Sequence, residues 1–504
     1  MRNSIGLAAL GSAILLAPAG LAQPLSAIDW LSQSIEAPEP APEAADGDTA
    51  GRLPATVSIQ PLGAPKPETP GLVAAADLGL PGDLWSGSTA EDAAARLAGV
   101  DAGLPPNARD LLRRVLISRQ AAPLQGDDAN VLTAARVDVL LKMGALNEAQ
   151  LLLGARAPEA PELFRRWFDI ALLTGSETDA CRDMAERPEV SPTYSARIFC
   201  LARNGNWHVA ALTLGSAESL GLLSDAEDAL LARFLDPELF DRVPPAPRRP
   251  TPLVFRLYEA SGERLSTLPL PVAFAHADLD PILGWKTRIE ASERLARAGV
   301  LGPGELFAVY GEETAAASGG VWERIAAVAA LTEALERRHA TPDDYHSAFR
   351  ALAAAGLGQV FAAAFRALPE DPGPDAAVRR SLLTMAAMQG RSVLPQAYLD
   401  PAAREDAFLA ALAAGDPAAA PAPTLLARAI STGFQRQSFD GPLAALEAGG
   451  RKGEALLVAL DWINDAAQGD ADRLAEALSY LRHVGLEETA RRIALDLIVA
   501  GRPT

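Results

Sequence analysis

The two cysteines of the chain, Cys181 and Cys200, enclose the stretch CRDMAERPEVSPTYSARIFC. A thiol redox motif has two residues between its cysteines, and a zinc site has further Cys or His nearby; this stretch has neither. Helices are predicted on both sides of the turn RPEVSP, and residues 181 and 200 lie at nearly equal distances from its centre. The pattern favours a disulfide between two antiparallel helices, with two separately buried thiols as the alternative.

A second group with ligand chemistry is HADLD, which contains His276, Asp278 and Asp280. Alternate residues of an extended segment point to the same side, so one nitrogen and two carboxylates could bind Ca²⁺, Zn²⁺ or Mn²⁺. The other interpretation is structural: Asp280 caps a helix that begins at Pro281, and Asp278 stabilises the same helix end. We favour the structural interpretation and predict no metal and no cofactor.

Motifs of common catalytic sites are absent from the sequence: G-x-S-x-G, H-E-x-x-H, the phosphate-binding G-x-x-x-x-G-K and a Gly-rich dinucleotide turn. In RRHATPDDYH, His339 and His346 flank Asp343 and Asp344, but Thr341 and Pro342 predict a helix start there, and the aspartates suit its dipole. No catalytic or cofactor-binding residue is therefore predicted.

Small and unbranched residues dominate the apolar part of the chain. Apolar residues make up 49% of it and aromatic residues only 5%, which favours closely packed helices over strands. From about residue 89, helix starts are predicted at Thr89 with Asp92 and at Ser224 with Glu227. Proline follows a capping residue at five further predicted starts: Ser191, Asp236, Asp280, Thr341 and Asp400. We predict an all-α fold.

A turn pattern recurs between the predicted helices. A glycine follows an apolar helix end, and an alanine comes five residues later, which would let the second helix approach the first. Three of these glycines, Gly144, Gly175 and Gly205, are spaced like successive helix-turn-helix units, and Gly485 repeats the pattern near the C-terminus. The sequence predicts an irregular α-solenoid of helix-turn-helix pairs.

The turns GALNEA (residues 144–149) and GNWHVA (residues 205–210) resemble the inter-helix turn of tetratricopeptide repeats. The resemblance covers residues 127–235 and, less clearly, 440–500, and its period is shorter than the 34 residues usual in that family. It implies a stacked helical array that binds other proteins. An irregular helical array outside that family is the alternative.

The N-terminus has the pattern of a secretory signal peptide. An apolar run from Ile5 to Ala17 follows Arg2 and precedes the small residues Gly20 and Ala22, so we expect a signal peptide over residues 1–22. No later stretch of about 18 apolar residues exists, and no transmembrane segment is expected after signal cleavage. Lysine is rare beside arginine, as in proteins from GC-rich bacterial genomes. We expect a periplasmic or secreted protein.

Composition predicts four further segments. Residues 23–88 are rich in Pro, Ala and acidic residues and are expected to form a mostly disordered tether. Residues 89–240 and 280–504 are expected to form two helical-repeat domains. Residues 241–279 begin with the proline-rich DRVPPAPRRPTP and are expected to form a linker and loop.

The formal net charge of −19 argues against binding to nucleic acid. The function that we favour is a non-catalytic scaffold or adaptor that binds a protein partner in the bacterial cell envelope. The alternative is a cell-wall carbohydrate hydrolase, or an accessory subunit of one, whose acid and base are helical carboxylates. A deep pocket with two converging carboxylates would favour the alternative, and a smooth groove would favour the scaffold.

Overall fold

A computed structural model describes residues 68–124, 129–154, 156–238, 244–315 and 319–502. The described part is built almost wholly of helices, which confirms the all-α prediction. The predicted signal peptide, residues 1–22, and residues 23–67 of the predicted tether lie outside the described residues.

The helices of the first half begin with α1 and α2 near the start of the described chain. In order they are α1 (Ala90–Ala98), α2 (Pro106–Ile117), α3 (Ala129–Met143), α4 (Leu146–Leu153), α5 (Pro161–Thr174), α6 (Glu177–Glu186), α7 (Tyr194–Arg203), α8 (Trp207–Ser219), α9 (Asp225–Leu235) and α10 (Pro252–Ala260).

The helices of the second half continue to the end of the described chain. They are α11 (Trp285–Arg297), α12 (Pro303–Tyr310), α13 (Val321–Glu336), α14 (Pro342–Ala353), α15 (Gly358–Ala364), α16 (Ala376–Met388), α17 (Arg404–Ala413), α18 (Leu425–Gln435), α19 (Gly441–Ala448), α20 (Lys452–Ala467), α21 (Leu474–His483) and α22 (Glu487–Ala500). No helix of the described residues is both long enough and apolar enough to cross a lipid bilayer.

Short elements connect these helices. Two strands, β1 (Val73–Ala74) and β2 (Ser118–Arg119), pair in parallel, with Val73 opposite Ser118. The fully buried Arg136 holds this region together, since its guanidinium donates to the carbonyls of Leu116 and Ser118 and to that of Pro70. The 3₁₀ helices are Ala75–Leu78, Pro188–Val190, Val272–Leu279, Gln396–Tyr398 and Pro417–Ala419.

Several predicted helix starts are confirmed by their hydrogen bonds. The Thr89 side chain accepts from the backbone N–H of Asp92, and Ser224 forms a reciprocal capping box with Glu227. Thr341 precedes α14, and its backbone N–H and hydroxyl both donate to the Asp344 carboxylate at 2.8 Å. These caps satisfy N–H groups that would otherwise lack partners at the helix ends.

The predicted starts at three Asp-Pro pairs are wrong. Asp236 ends α9, Asp280 precedes a turn, and α17 begins only after a turn that follows Asp400. In each case the aspartate accepts a hydrogen bond from the backbone N–H two residues later, at 3.1, 3.0 and 3.0 Å, and so forms a turn instead of a helix cap. The start predicted at Ser191 lies two residues later in the structure, because Thr193 is the cap.

The repeated glycine turn is confirmed. Gly144, Gly175, Gly205 and Gly485 all have positive φ, from 75 to 84°, and each lies between two consecutive helices. The alanines five residues later, at positions 149, 180, 210 and 490, are fully buried. The glycine adopts the left-handed conformation and the small alanine sits inside the helix pair, as the sequence pattern requires.

Two predicted irregular segments contain ordered elements. Residues 68–88, at the end of the expected tether, include β1 and the fully buried Trp85. Residues 252–279, within the expected linker and loop, include α10 and the 3₁₀ helix Val272–Leu279. Thr251 caps α10 and Pro252 occupies its first turn, where a missing N–H costs nothing, so the proline run ends in a helix start.

The buried apolar side chains form two main cores. The first core joins α1–α4 to the helices of the second half. The second core contains buried side chains between Ala157 and Tyr258, which belong mainly to α5–α10. Segment 241–279 is therefore not the border between the two cores. Helices α1–α4 precede this segment, but they pack with the helices that follow it.

The two ends of the described chain contact each other. Helix α1 packs against α20, and α2 packs against α20 and α22. The Gly453 N–H donates to the Leu84 carbonyl at 2.7 Å, and the buried Trp85 ring lies against Gly453. Asp496 accepts hydrogen bonds from the backbone and side chain of Asn107 at 2.7 to 2.9 Å. These contacts, which we call the closure, join the first helices to the last.

The closure predicts opposite effects for two glycine-to-alanine changes. A Cβ at Gly453 would lie 2.5 Å from Trp85 ring carbons, so Gly453→Ala should destabilise the protein by roughly 1–3 kcal/mol. A Cβ at Gly215, inside α8, would meet open space, so Gly215→Ala should stabilise by about 0.5–1 kcal/mol. Urea denaturation of both variants measures the difference, and equal effects would contradict this account of the closure.

Candidate functional site

The two cysteines lie on α6 and α7, which pack against each other. They form a disulfide, with their Cα atoms 4.7 Å apart, which confirms the prediction. Both residues are buried in the second core. The Asn204 amide donates to the Cys181 carbonyl at 2.9 Å and reinforces the same helix pair. The disulfide therefore staples two neighbouring helices.

Loss of this disulfide should weaken the fold. The double variant Cys181→Ala, Cys200→Ala should lower the free energy of unfolding by about 3 kcal/mol, because the unfolded chain loses the restraint of a closed loop. Thiol labelling of the denatured, unreduced wild-type protein should detect no free cysteine, and prior reduction should expose two. Two labelled cysteines without reduction would contradict the disulfide.

The HADLD residues each have a separate partner. His276 Nε2 lies 2.7 Å from the Gly144 carbonyl oxygen, and burial lowers its pKa. Asp278 accepts hydrogen bonds from Arg264 and Thr267. Together with the turn made by Asp280, these contacts leave no shared ligand set, and no group of three or more potential metal ligands occurs within the described residues. Asp280 therefore forms a turn and does not cap a helix at Pro281, so this part of the structural interpretation is wrong.

The RRHATPDDYH residues are likewise dispersed. Asp344 accepts from the backbone N–H and hydroxyl of Thr341, and His346 Nδ1 lies 2.8 Å from the Ser381 hydroxyl. Burial, followed by the charge of Arg350, lowers the pKa of His346. These side chains therefore support helix packing.

The second core contains a cavity of about 580 Å³. It lies between α5, α7, α9 and α10, with the 3₁₀ helix Pro188–Val190 at one side. Its apolar walls are Phe168, Leu230, Leu231, Leu253, Val254 and Leu257. Its charged lining residues are Arg165, Asp169, Arg197 and Glu227. An apolar cavity of this size with a few polar groups is typical of a ligand pocket.

Asp169 is the unusual member of this pocket. The residue is only 7% exposed, and within the described residues no hydrogen bond or ion pair involves its carboxylate. Burial raises its pKa to about 7, although the charges of Arg165 and Arg166 act in the opposite direction. The Asp169 oxygens are not among the sealed polar atoms of the described residues, so they are accessible from the pocket, where a ligand or water supplies the donor.

Neighbouring arginines do not remove the cost of this burial. The Arg166 guanidinium binds Asp138 through two hydrogen bonds of 2.6 Å, so its charge is already paired. Arg165 lines the pocket, and burial lowers its pKa. The attraction of both guanidiniums is therefore outweighed by the loss of water around Asp169.

Glu227 is the second acid of the pocket, but its oxygens are occupied. Oε1 accepts a hydrogen bond from Ser195 at 3.1 Å. Oε2 accepts from the backbone N–H and the hydroxyl of Ser224, at 3.2 and 2.8 Å. This carboxylate is fixed by the start of α9, which leaves Asp169 as the acid without a donor.

The sequence predictions did not include Asp169. It lies in RRWFDIALL, where one acid interrupts an apolar run on a predicted helix. This interruption could have indicated Asp169 as a candidate site residue, because an acid on the apolar side of a helix needs either solvent or a partner. The residues that complete the pocket come from distant helices, which the local pattern does not identify.

Comparison of the chain with family models, with curated proteins and with solved structures finds no match.

Asp169 predicts a pH-dependent stability difference. Because folding raises its pKa, the unfolded state binds fewer protons, and Asp169 lowers native stability as the pH rises toward and through about 7. The stability of Asp169→Asn relative to wild type should therefore increase by roughly 2–3 kcal/mol between pH 5 and pH 8. Urea denaturation across this range measures it.

Glu189→Gln is the matched control, because Glu189 is exposed on the adjacent 3₁₀ helix and does not line the pocket. It makes the same change from carboxylate to amide outside the pocket and provides the reference for Asp169→Asn. A pH-independent difference between Asp169→Asn and wild type would contradict the raised pKa.

Proposed function

We propose that this chain is a non-catalytic helical-repeat module, exported to the bacterial cell envelope, that binds a partner protein at the pocket of its second core. The observation that carries the proposal is the buried Asp169 carboxylate without a donor inside a cavity of about 580 Å³. A tetratricopeptide-like relationship remains part of the proposal, supported by the repeated glycine turn. The predicted signal peptide supports export.

The surface of α8 supports a protein partner over a small ligand. From Trp207 to Ala217, α8 carries no Asp, Glu, Lys or Arg. Its inner side, with Ala210, Leu214 and Ala217, is buried, but Trp207, Val209 and Leu212 are exposed, the last at 73%. Exposed apolar surface of this kind marks interaction sites in proteins.

The pocket and α8 belong to the same helix hairpin. Helices α7 and α8 are antiparallel neighbours joined by the turn at Gly205, so Tyr194 at the start of α7 and Leu220 after α8 lie at the same end of the pair. Tyr194 lines the pocket and is 44% exposed, and Leu220 is exposed. A partner that contacts this end of the pair would meet both Leu220 and Tyr194.

A cell-wall carbohydrate hydrolase is the second candidate function. It is favoured by the presence of Asp169 and Glu227 in one pocket and by the pKa of about 7 for Asp169, which suits a general acid. The engagement of both Glu227 oxygens by serine donors argues against it, because a catalytic base or nucleophile needs an available oxygen.

Site-specific photocrosslinking in native envelopes tests the binding function. A photoreactive residue at Tyr194 or Leu212 should capture the same partner protein. The same residue at Val393, which is 78% exposed but outside the second core, should not capture it. Val393 is the matched control for exposed apolar character.

Equal capture at all three positions, or no capture at any, would contradict the proposed binding surface. Turnover of peptidoglycan fragments by the wild-type protein, with loss of turnover in Asp169→Asn, would establish the hydrolase instead.

A further inference from the structure

The pocket contains an uncompensated acid next to an aliphatic wall. Asp169 has no donor within the described residues, and the leucines at positions 230, 231, 253 and 257 line the same cavity. A ligand that fills this space must satisfy the carboxylate and also contact the leucines. An aliphatic stem that ends in an N–H-bearing cation meets both requirements, since charge-assisted hydrogen bonds to carboxylates are among the strongest.

The charges around Asp169 are compatible with an additional cation. Those on its own helix are Arg165 and Arg166, and Arg166 is paired with Asp138 of α3. The other charged lining residues are Arg197 of α7 and Glu227 of α9. With burial included, these groups leave Asp169 harder to ionise than a carboxylate in water, so a further cation in the pocket would stabilise its ionised form.

We propose that the pocket receives a basic side chain, lysine or arginine, from an apolar segment of the partner protein. This inference rests on the proposed binding function and specifies what the partner inserts. The cationic head contacts Asp169, the methylene stem lies along the leucines, and the flanking apolar residues of the segment cover Tyr194 and the exposed surface of α8.

Binding of a cation is coupled to loss of a proton from Asp169. The cation binds the carboxylate form, so the acid must release its proton when the ligand enters. With a pKa of about 7 in the free protein, the affinity should be about tenfold lower at pH 6 than at pH 8, and close to one proton should be released per ligand at pH 6. A neutral ligand that accepts from the protonated acid would show the opposite pH dependence.

Isothermal titration calorimetry of the full, disulfide-bonded protein tests the inference. The probes are N-acetyl-Leu-Lys-Leu-amide, its arginine analogue and its norleucine analogue, which keeps the stem without the charge. At pH 8 a basic peptide should bind at least tenfold more tightly than the norleucine peptide. Titrations at pH 6 in two buffers with different ionisation enthalpies measure the released proton.

Two variants complete the experiment. Asp169→Asn should abolish both the preference for the basic peptide and the proton release, while Glu189→Gln should change neither by more than about twofold. Circular dichroism confirms that each variant is folded, and the pH dependence of the wild-type protein provides a readout that needs no variant.

The outcomes separate the two proposals. Equal affinity for the norleucine and basic peptides, or retention of the preference in Asp169→Asn, overturns the basic side chain but leaves the binding pocket in place. If none of the peptides binds and photocrosslinking at Tyr194 captures no partner, both proposals fail.

Discussion

The contact between Trp85 and Gly453 is the constraint on which the arrangement of the first core depends. Glycine at position 453 leaves the space that the indole ring fills, and the Gly453 N–H pairs with the carbonyl next to that ring. Around this contact, Ser88 donates to Glu454 at 2.8 Å and Lys452 pairs with Asp83 at 2.7 Å. The first and last helices of a linear array expose an apolar face to water. Here the buried Trp85 ring lies where these helices meet, so both faces are covered.

The second core is stabilised in a different way. It is smaller than the first and contains the disulfide between α6 and α7, which restrains the unfolded chain. This restraint offsets part of the cost of burying Asp169 in a cavity. The closure also contains a buried acid, Asp496, and burial raises its pKa to about 6. Unlike Asp169, this acid has a donor, because the Asn107 side chain donates to both of its oxygens. Asp496 thus has donors, whereas Asp169 has none within the described residues.

This difference connects the fold to the proposed function. In the first core, the buried Glu293 accepts hydrogen bonds from Tyr310 and Arg324 at 2.7 Å. The second core presents a buried acid to a cavity, and the uncharged stretch of α8 from Trp207 to Ala217 presents apolar side chains to solvent. Burial of the acid costs stability, the exposed apolar side chains of α8 contribute none, and one apolar, basic partner segment would cover both.

Local interactions explain which features could be predicted from the sequence. The all-α class, the glycine turns, the caps at Thr89, Ser224 and Thr341, and the pairing of Cys181 with Cys200 depend on residues close together in the chain, so their pattern was sufficient. Asp-Pro pairs were ambiguous, because the same aspartate can cap a helix or form a turn, and packing decides which. The closure and the pocket depend on contacts across many helices: Asn107 meets Asp496, and the wall opposite Asp169 comes from α9 and α10. The sequence by itself thus determined the helices and their local connections, while only the tertiary structure decided which buried acid obtained a donor and which did not.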